Sequence, residues 1–169
     1  MGVTIHFEGH LSSDEALANV LAAAQAYADG QRWPHELIAC TEARLSRVRN
    51  EEDWDYIGPT RGIVLFPHAD SEPVRLEFDR DLYIQEFTKT QFAGTTVHIN
   101  VVGLLRCLAP HFASLIVDDE GEYWDTSDQE LLKGHFQAFY RALQAELPNY
   151  PGAKVKVRLP SGRIADFVS

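Results

Sequence analysis

The chain has 169 residues, 45% of them hydrophobic and 24% charged, the make-up of an ordinary globular protein, and this length buries about two-thirds of the unfolded surface. Fifteen Lys and Arg against 25 Asp and Glu leave a formal net charge of −10, which repels phosphate backbones and anionic lipid and so argues against direct nucleic-acid or membrane binding. No apolar run reaches bilayer length, and the segment 1–6 lacks the basic region and apolar core of a secretory signal.

Val3, Ile5 and Phe7 alternate with Thr4, His6 and Glu8, the period-two pattern of a strand with one buried face. A helix follows, with Ser12 and Glu15 as a capping box, an apolar stripe of Leu17, Val20, Leu21, Ala24 and Tyr27 or Ala28, and a stop at Gly30. Residues 36–48 read as a long strand, with helix as the competing reading because of their Ala and Glu. Gly58-Pro59 reads as a turn that ends the acidic segment around Trp54. Residues 62–66 and 74–79 read as strands joined by a hairpin loop over 67–73.

Val97, Val101, Leu104, Leu105 and Leu108 have the spacing of a second helix, opening at Thr95 or Thr96 and closing before Pro110. Residues 114–118 and 122–125 suggest a hairpin around Glu120-Gly121. Ser127 and Glu130 then suit a capping box for a third helix carrying Leu132, Phe136, Phe139, Tyr140, Leu143 and Leu147, closed by Pro148. Val155 to Leu159 and Ile164 to Val168 form a terminal hairpin across Pro160-Ser161-Gly162. The order implies a single α+β domain over 1–169, with a mainly antiparallel sheet, about three helices packed on one face and a C-terminal β-hairpin.

The motifs of the large enzyme classes are missing. His6 and His10 flank a glycine-containing strand, whereas a zinc protease needs His-Glu at the start of the motif and both histidines on one helical face. The acidic run from Asp118 to Glu130 fails as a calcium loop, with Tyr123 where the loop requires Gly and Gln129 where it requires Glu. Cys40 and Cys107 have apolar neighbours and no metal-type spacing, so they read as buried, reduced thiols of a cytoplasmic protein. There is no nucleophile elbow, phosphate loop or dinucleotide fingerprint. The reading therefore assigns no catalytic residue, no metal and no cofactor. An enzymatic alternative is a carbohydrate hydrolase with Glu52 and Glu122 as its acids and Trp54 and Trp124 as sugar platforms.

Two segments stand out because each combines dense acidity with large rings and contains neither Lys nor Arg. One comprises Glu51, Glu52, Asp53, Trp54, Asp55 and Tyr56; the other Asp118, Asp119, Glu120, Glu122, Tyr123, Trp124 and Asp125. Trp and Tyr are common interface anchors, and clustered carboxylates steer a basic partner. These residues are the predicted partner-binding surface. In size and charge profile the chain resembles the small acidic bacterial immunity proteins, which block a cognate toxin by covering or distorting its active site; no motif carries the likeness. The resemblance implies an inhibitor that neutralises a basic enzyme, such as a toxin or nuclease. A homo-oligomeric adaptor is the remaining alternative, with the apolar stripe of the third helix as its dimer face.

Overall fold

In the computed structural model, which describes residues 2–169, eight strands and four helices follow the order β1 (Thr4–His10), α1 (Asp14–Gln31), β2 (His35–Arg49), β3 (Glu52–Leu65), β4 (Val74–Phe78), β5 (Tyr83–Lys89), α2 (Thr95–Leu108), β6 (Ser114–Asp119), α3 (Tyr123–Thr126), α4 (Gln129–Glu146), β7 (Lys154–Arg158) and β8 (Ile164–Val168). The fold is α+β, and all strand pairs are antiparallel. The first sheet has the order β5-β1-β6, the second β2-β3-β4, and β7-β8 is a C-terminal hairpin. Among the described residues no helix is long and apolar enough to cross a membrane.

The periodicities explain the layers. Ile5 and Phe7 of β1 point inward while His6 and His10 stay exposed. The inward residues meet Leu17, Val20, Ala24 and Ala28 of α1, Val101, Leu104, Leu105 and Leu108 of α2, and Leu132, Phe136, Phe139 and Leu143 of α4 in one core with Ile63, Leu65, Leu76 and Phe78 of the second sheet. The stripe of α4 is thus spent inside the protein and is not free to form the dimer face that its sequence suggested. Each capping prediction is off by one residue. Ser13, rather than Ser12, accepts from the Ala16 N–H, and Asp128, rather than Ser127, accepts from Glu130 and Leu131.

Three local expectations are corrected. Gly58-Pro59 is no turn: β3 runs straight through it, and β2 absorbs the irregularity as a bulge between Cys40 and Ala43. The reversal instead occurs at Asn50 and Glu51, both left-handed, the backbone that a two-residue hairpin requires. Residues 122–125 form no strand; α3 occupies that stretch, and β6 pairs with β1. The third correction is that both cysteines are exposed. Strand β5, which the sequence reading passed over, completes the first sheet.

Because β4 pairs only with Arg61–Leu65, β2 and β3 continue past it as a two-stranded arm ending at Asn50-Glu51. Gly62 marks the place where β4 comes closest, since a Cβ there would lie 1.7 Å from the Leu76 carbonyl oxygen. We expect Gly62→Ala to lower unfolding free energy by about 3 kcal/mol through backbone displacement. Gly30→Ala, in α1 with open space around it, should raise stability by about 0.5–1 kcal/mol. Chemical denaturation of the two variants checks both signs.

Candidate functional site

The outward face of the first sheet carries no helix. His6 and Glu8 of β1, Gln85 and Phe87 of β5, and Ile116 and Asp118 of β6 form a floor; Arg44 to Val48, Asp53 and Asp55 of the arm form one wall; Ser161 and Arg163 of the C-terminal hairpin form the other. The cleft between them has a volume of ≈ 1170 Å³, ample for a peptide segment or small molecule.

A two-stranded ribbon is marginal by itself, so something must hold the arm in place. Arg47 does so. Its side chain is almost wholly buried, with Nη1 2.6 Å from Asp79 Oδ2 and Nη2 donating to the Tyr83 carbonyl at 3.2 Å. The guanidinium lies 4.8 Å from the ring centre of Tyr83, 5.4 Å from that of Tyr56 and 5.7 Å from that of Trp54. Its Nε has no hydrogen-bond partner. Asp79 also accepts from the Asp81 and Tyr83 N–H groups, which fixes the acceptor at the β4–β5 corner. Farther out, Gln85 receives the Val48 N–H at 2.8 Å and returns its own amide to the Val48 carbonyl at 2.9 Å, imitating a strand pair.

The cleft's arginines are committed to the protein's own carboxylates. Arg44 pairs with Asp55, Arg47 with Asp79, Arg75 with Glu77 at 3.6 Å, and Arg163 with both Glu72 and Glu86. Asp53 and Asp118 have no basic partner among the described residues. Glu8 accepts from the Tyr83 hydroxyl at 2.6 Å and from Gln85; burial, and then this bond to Glu8, hold the Tyr83 phenol above its ordinary pKa, as a neutral donor. Burial pushes the Glu86 carboxyl upward against the lowering influence of Arg163. The available field in the cleft is therefore negative, from Glu8, Asp53 and Asp118.

The structure divides the residues predicted for partner binding. Asp53, Asp55 and Asp118 come from both segments and meet in the cleft. Glu51 and Glu52 sit exposed at the arm's tip. Trp54 lies partly buried beneath Arg49, 4.1 Å from its ring centre. Tyr56 is buried and donates to the Pro59 carbonyl, so its ring supports the arm rather than facing a partner. In the second segment Glu120 accepts from the Thr4 N–H at 2.9 Å and approaches His6 at 3.3 Å. Glu122 pairs with His135 at 2.6 Å, and Asp125 is exposed nearby. Tyr123 is buried and Trp124 packs against the core, both beside Arg106, whose Nη2 bonds their carbonyls. Neither Glu52 nor Glu122 lines the cleft, so these two acids do not assemble a hydrolase pair there. His6 and His10 project from the exposed face of one strand and hold no third ligand; among the described residues no cluster of three His, Cys, Asp or Glu is placed to bind a metal.

Asp119 serves the fold. It receives the Gly121 N–H at 2.7 Å and the Trp124 N–H at 2.9 Å, which turns the chain into α3. Its Oδ1 lies 3.0 Å from His98 Nε2. On the far side of the ring, His98 Nδ1 is 2.8 Å from the Thr90 hydroxyl. This Thr-His-Asp row has the order of a catalytic triad, yet all three side chains are sealed in the core, so it has no route to substrate. Sequence reasoning missed Arg47, Tyr83 and Gln85 as builders of the cleft. The one available signal was the Tyr83–Lys89 stretch itself, where Ile84 and Thr88 share a face.

Comparisons of the chain with protein-family models, with curated proteins and with solved structures return no match.

Burial raises the Asp119 pKa, but His98 and the two backbone N–H groups outweigh it and hold the carboxyl below its ordinary value. A depressed carboxyl stabilises the fold above the unfolded value, near ~4, and that contribution is lost as pH falls through the folded value. Asp119→Asn should therefore lower stability by about 3 kcal/mol at pH 7 and flatten the acid limb of the stability profile, measured by denaturation across pH. Arg47→Met should free the arm and leave Asp79 buried without its cation; we expect a loss of about 3 kcal/mol and a red-shifted Trp54 emission, identified by comparison with Trp54→Phe.

Proposed function

We propose that this chain is a binding protein that receives a basic segment of a partner protein in the cleft, in the manner of an inhibitor or immunity-type protein that neutralises an enzyme such as a toxin. One observation carries the reading: the cleft's arginines are engaged by the protein's own acids, whereas Asp53 on the arm wall and Asp118 on the floor lack a basic partner among the described residues. A Lys or Arg entering the cleft meets negative charge from Asp53 on the wall and from Asp118 and Glu8 on the floor.

Phe87 and Ile116, 37% and 64% exposed, add apolar surface to the floor, so an incoming segment would also find contacts that slow its departure. The net charge of −10 favours encounter with a cationic surface. Anchoring in this picture passes from the buried Tyr56 and Tyr123 to Phe87 and Ile116.

Capture from a lysate of the source organism at low and high salt, with bound proteins identified by mass, supplies the partner. With that partner purified, association should slow as salt rises. Asp53→Lys and Asp118→Lys should each slow association about tenfold at low ionic strength, while Glu122→Lys, remote from the cleft, leaves it within about twofold. Rates insensitive to salt, or equally reduced by Glu122→Lys, would sink the cleft as the binding site.

A further inference from the structure

Strand β6 is the outer strand of the first sheet and is hydrogen-bonded to β1 alone. The Glu120 N–H donates to the Thr4 carbonyl at 3.0 Å, which sets the phase of the ladder: Ser114, Ile116 and Asp118 turn their backbone groups toward β1. Alternate residues of an antiparallel strand bond to opposite sides, so Leu115 and Val117 turn theirs outward. Neither has a backbone partner there among the described residues. No proline blocks this edge, and its central side chain, Ile116, is 64% exposed.

We propose that β6 pairs antiparallel with β6 of a second copy of the chain, about a two-fold axis through Ile116. In that register Leu115 of each copy exchanges both backbone hydrogen bonds with Val117 of the other, using the groups that point outward. Ile116 faces its own copy in a non-hydrogen-bonded pair, where side chains approach most closely. Asp118 of one copy faces Ser114 of the other, a hydroxyl donor against a carboxylate. His6 already neighbours Asp118 and His10 neighbours Ser114 within each sheet, so the joined sheet carries the row His6, Asp118, Ser114, His10 on either side of the axis. Moving the axis to Val117 would set Ile116 against Asp118; moving it to Leu115 would place Asp118 beyond the end of the partner strand. Each of these registers is isologous, and the central one alone sets Ile116 against itself and Asp118 against Ser114.

The resulting six-stranded sheet keeps both clefts on the same face. A strand pair of this length falls below the standard interface size, so the dimer belongs to the weak, micromolar class. Each copy carries a net charge of −10, and added salt screens their repulsion. Dimerisation should therefore tighten as salt rises, opposite in sign to capture of a basic partner, so the two readings fail independently.

Sedimentation velocity of the full chain, from micromolar to sub-millimolar concentration, should reveal a monomer–dimer equilibrium. Ile116→Lys, which sets two cations directly opposite each other, should weaken it at least about tenfold while far-UV circular dichroism is unchanged. Register is tested by cross-linking in a chain carrying Cys40→Ser and Cys107→Ser. Ile116→Cys should oxidise to a covalent dimer, since facing Cα atoms of such a pair are about 4.5 Å apart; Ser114→Cys should not. A chain that stays monomeric throughout, or a dimer untouched by Ile116→Lys and cross-linked equally from both positions, overturns the proposal.

Discussion

The ion pair between Arg47 and Asp79 is the constraint on which the cleft depends. The arm has no third strand beyond Arg61, and a two-stranded ribbon reaching over solvent would swing freely. Burying a guanidinium is costly unless its charge and N–H groups are met. Here Asp79 and the Tyr83 carbonyl meet two of its nitrogens, and three aromatic faces surround the rest. Such a pair adds little net stability over a well-packed apolar substitute. What it adds is position: one geometry satisfies it, and that geometry sets the arm beside β5 where Gln85 can bridge to Val48.

The same use of buried acids recurs in the rest of the molecule, and it changes the meaning of the acidic composition. Glu72, 1% exposed, accepts from the Lys89 and Ile164 N–H groups and from Arg163, so a single carboxylate ties the C-terminal hairpin to β5. Asp166 reinforces the joint through Lys89 and Gln91, and Gln91 in turn accepts the Val3 N–H. Glu77 is held by the Thr60 hydroxyl and Asp119 by His98 and two backbone donors. Glu72, Glu77, Asp79 and Asp119 are thus spent inside the fold, while most of the other carboxylates are exposed; of those lining the cleft, Asp53 and Asp118 lack a basic partner among the described residues.

Much of the fold was legible because its signals are local. The stripes of α1, α2 and α4, the alternation of β1 and β4, and the Pro-Ser-Gly turn of the C-terminal hairpin each report the buried face or reversal that the structure contains. Strand β5 was harder because Glu86 interrupts its inward row, and the cation that pairs with that carboxylate, Arg163, lies far along the chain. Gly58-Pro59 carries strong turn chemistry, but β2 accommodates it with extra residues between Cys40 and Ala43. The rings of Tyr56 and Tyr123 look like anchors in one dimension, and nothing local says that Arg47 and Arg106 will draw them inward. The meeting of Asp53 with Asp118 is a long-range product of arm docking, so neither segment could announce it.

Hydrogen exchange of the chain with and without its captured basic partner tests the assignment of the cleft most directly. Binding in the cleft predicts new protection on the arm from Arg44 to Asp55 and on β6 around Ile116 and Asp118, with Glu122 to Asp125 and the outer face of α4 unchanged. Protection confined to that second region, with the arm exchanging as it does in the free chain, would contradict it.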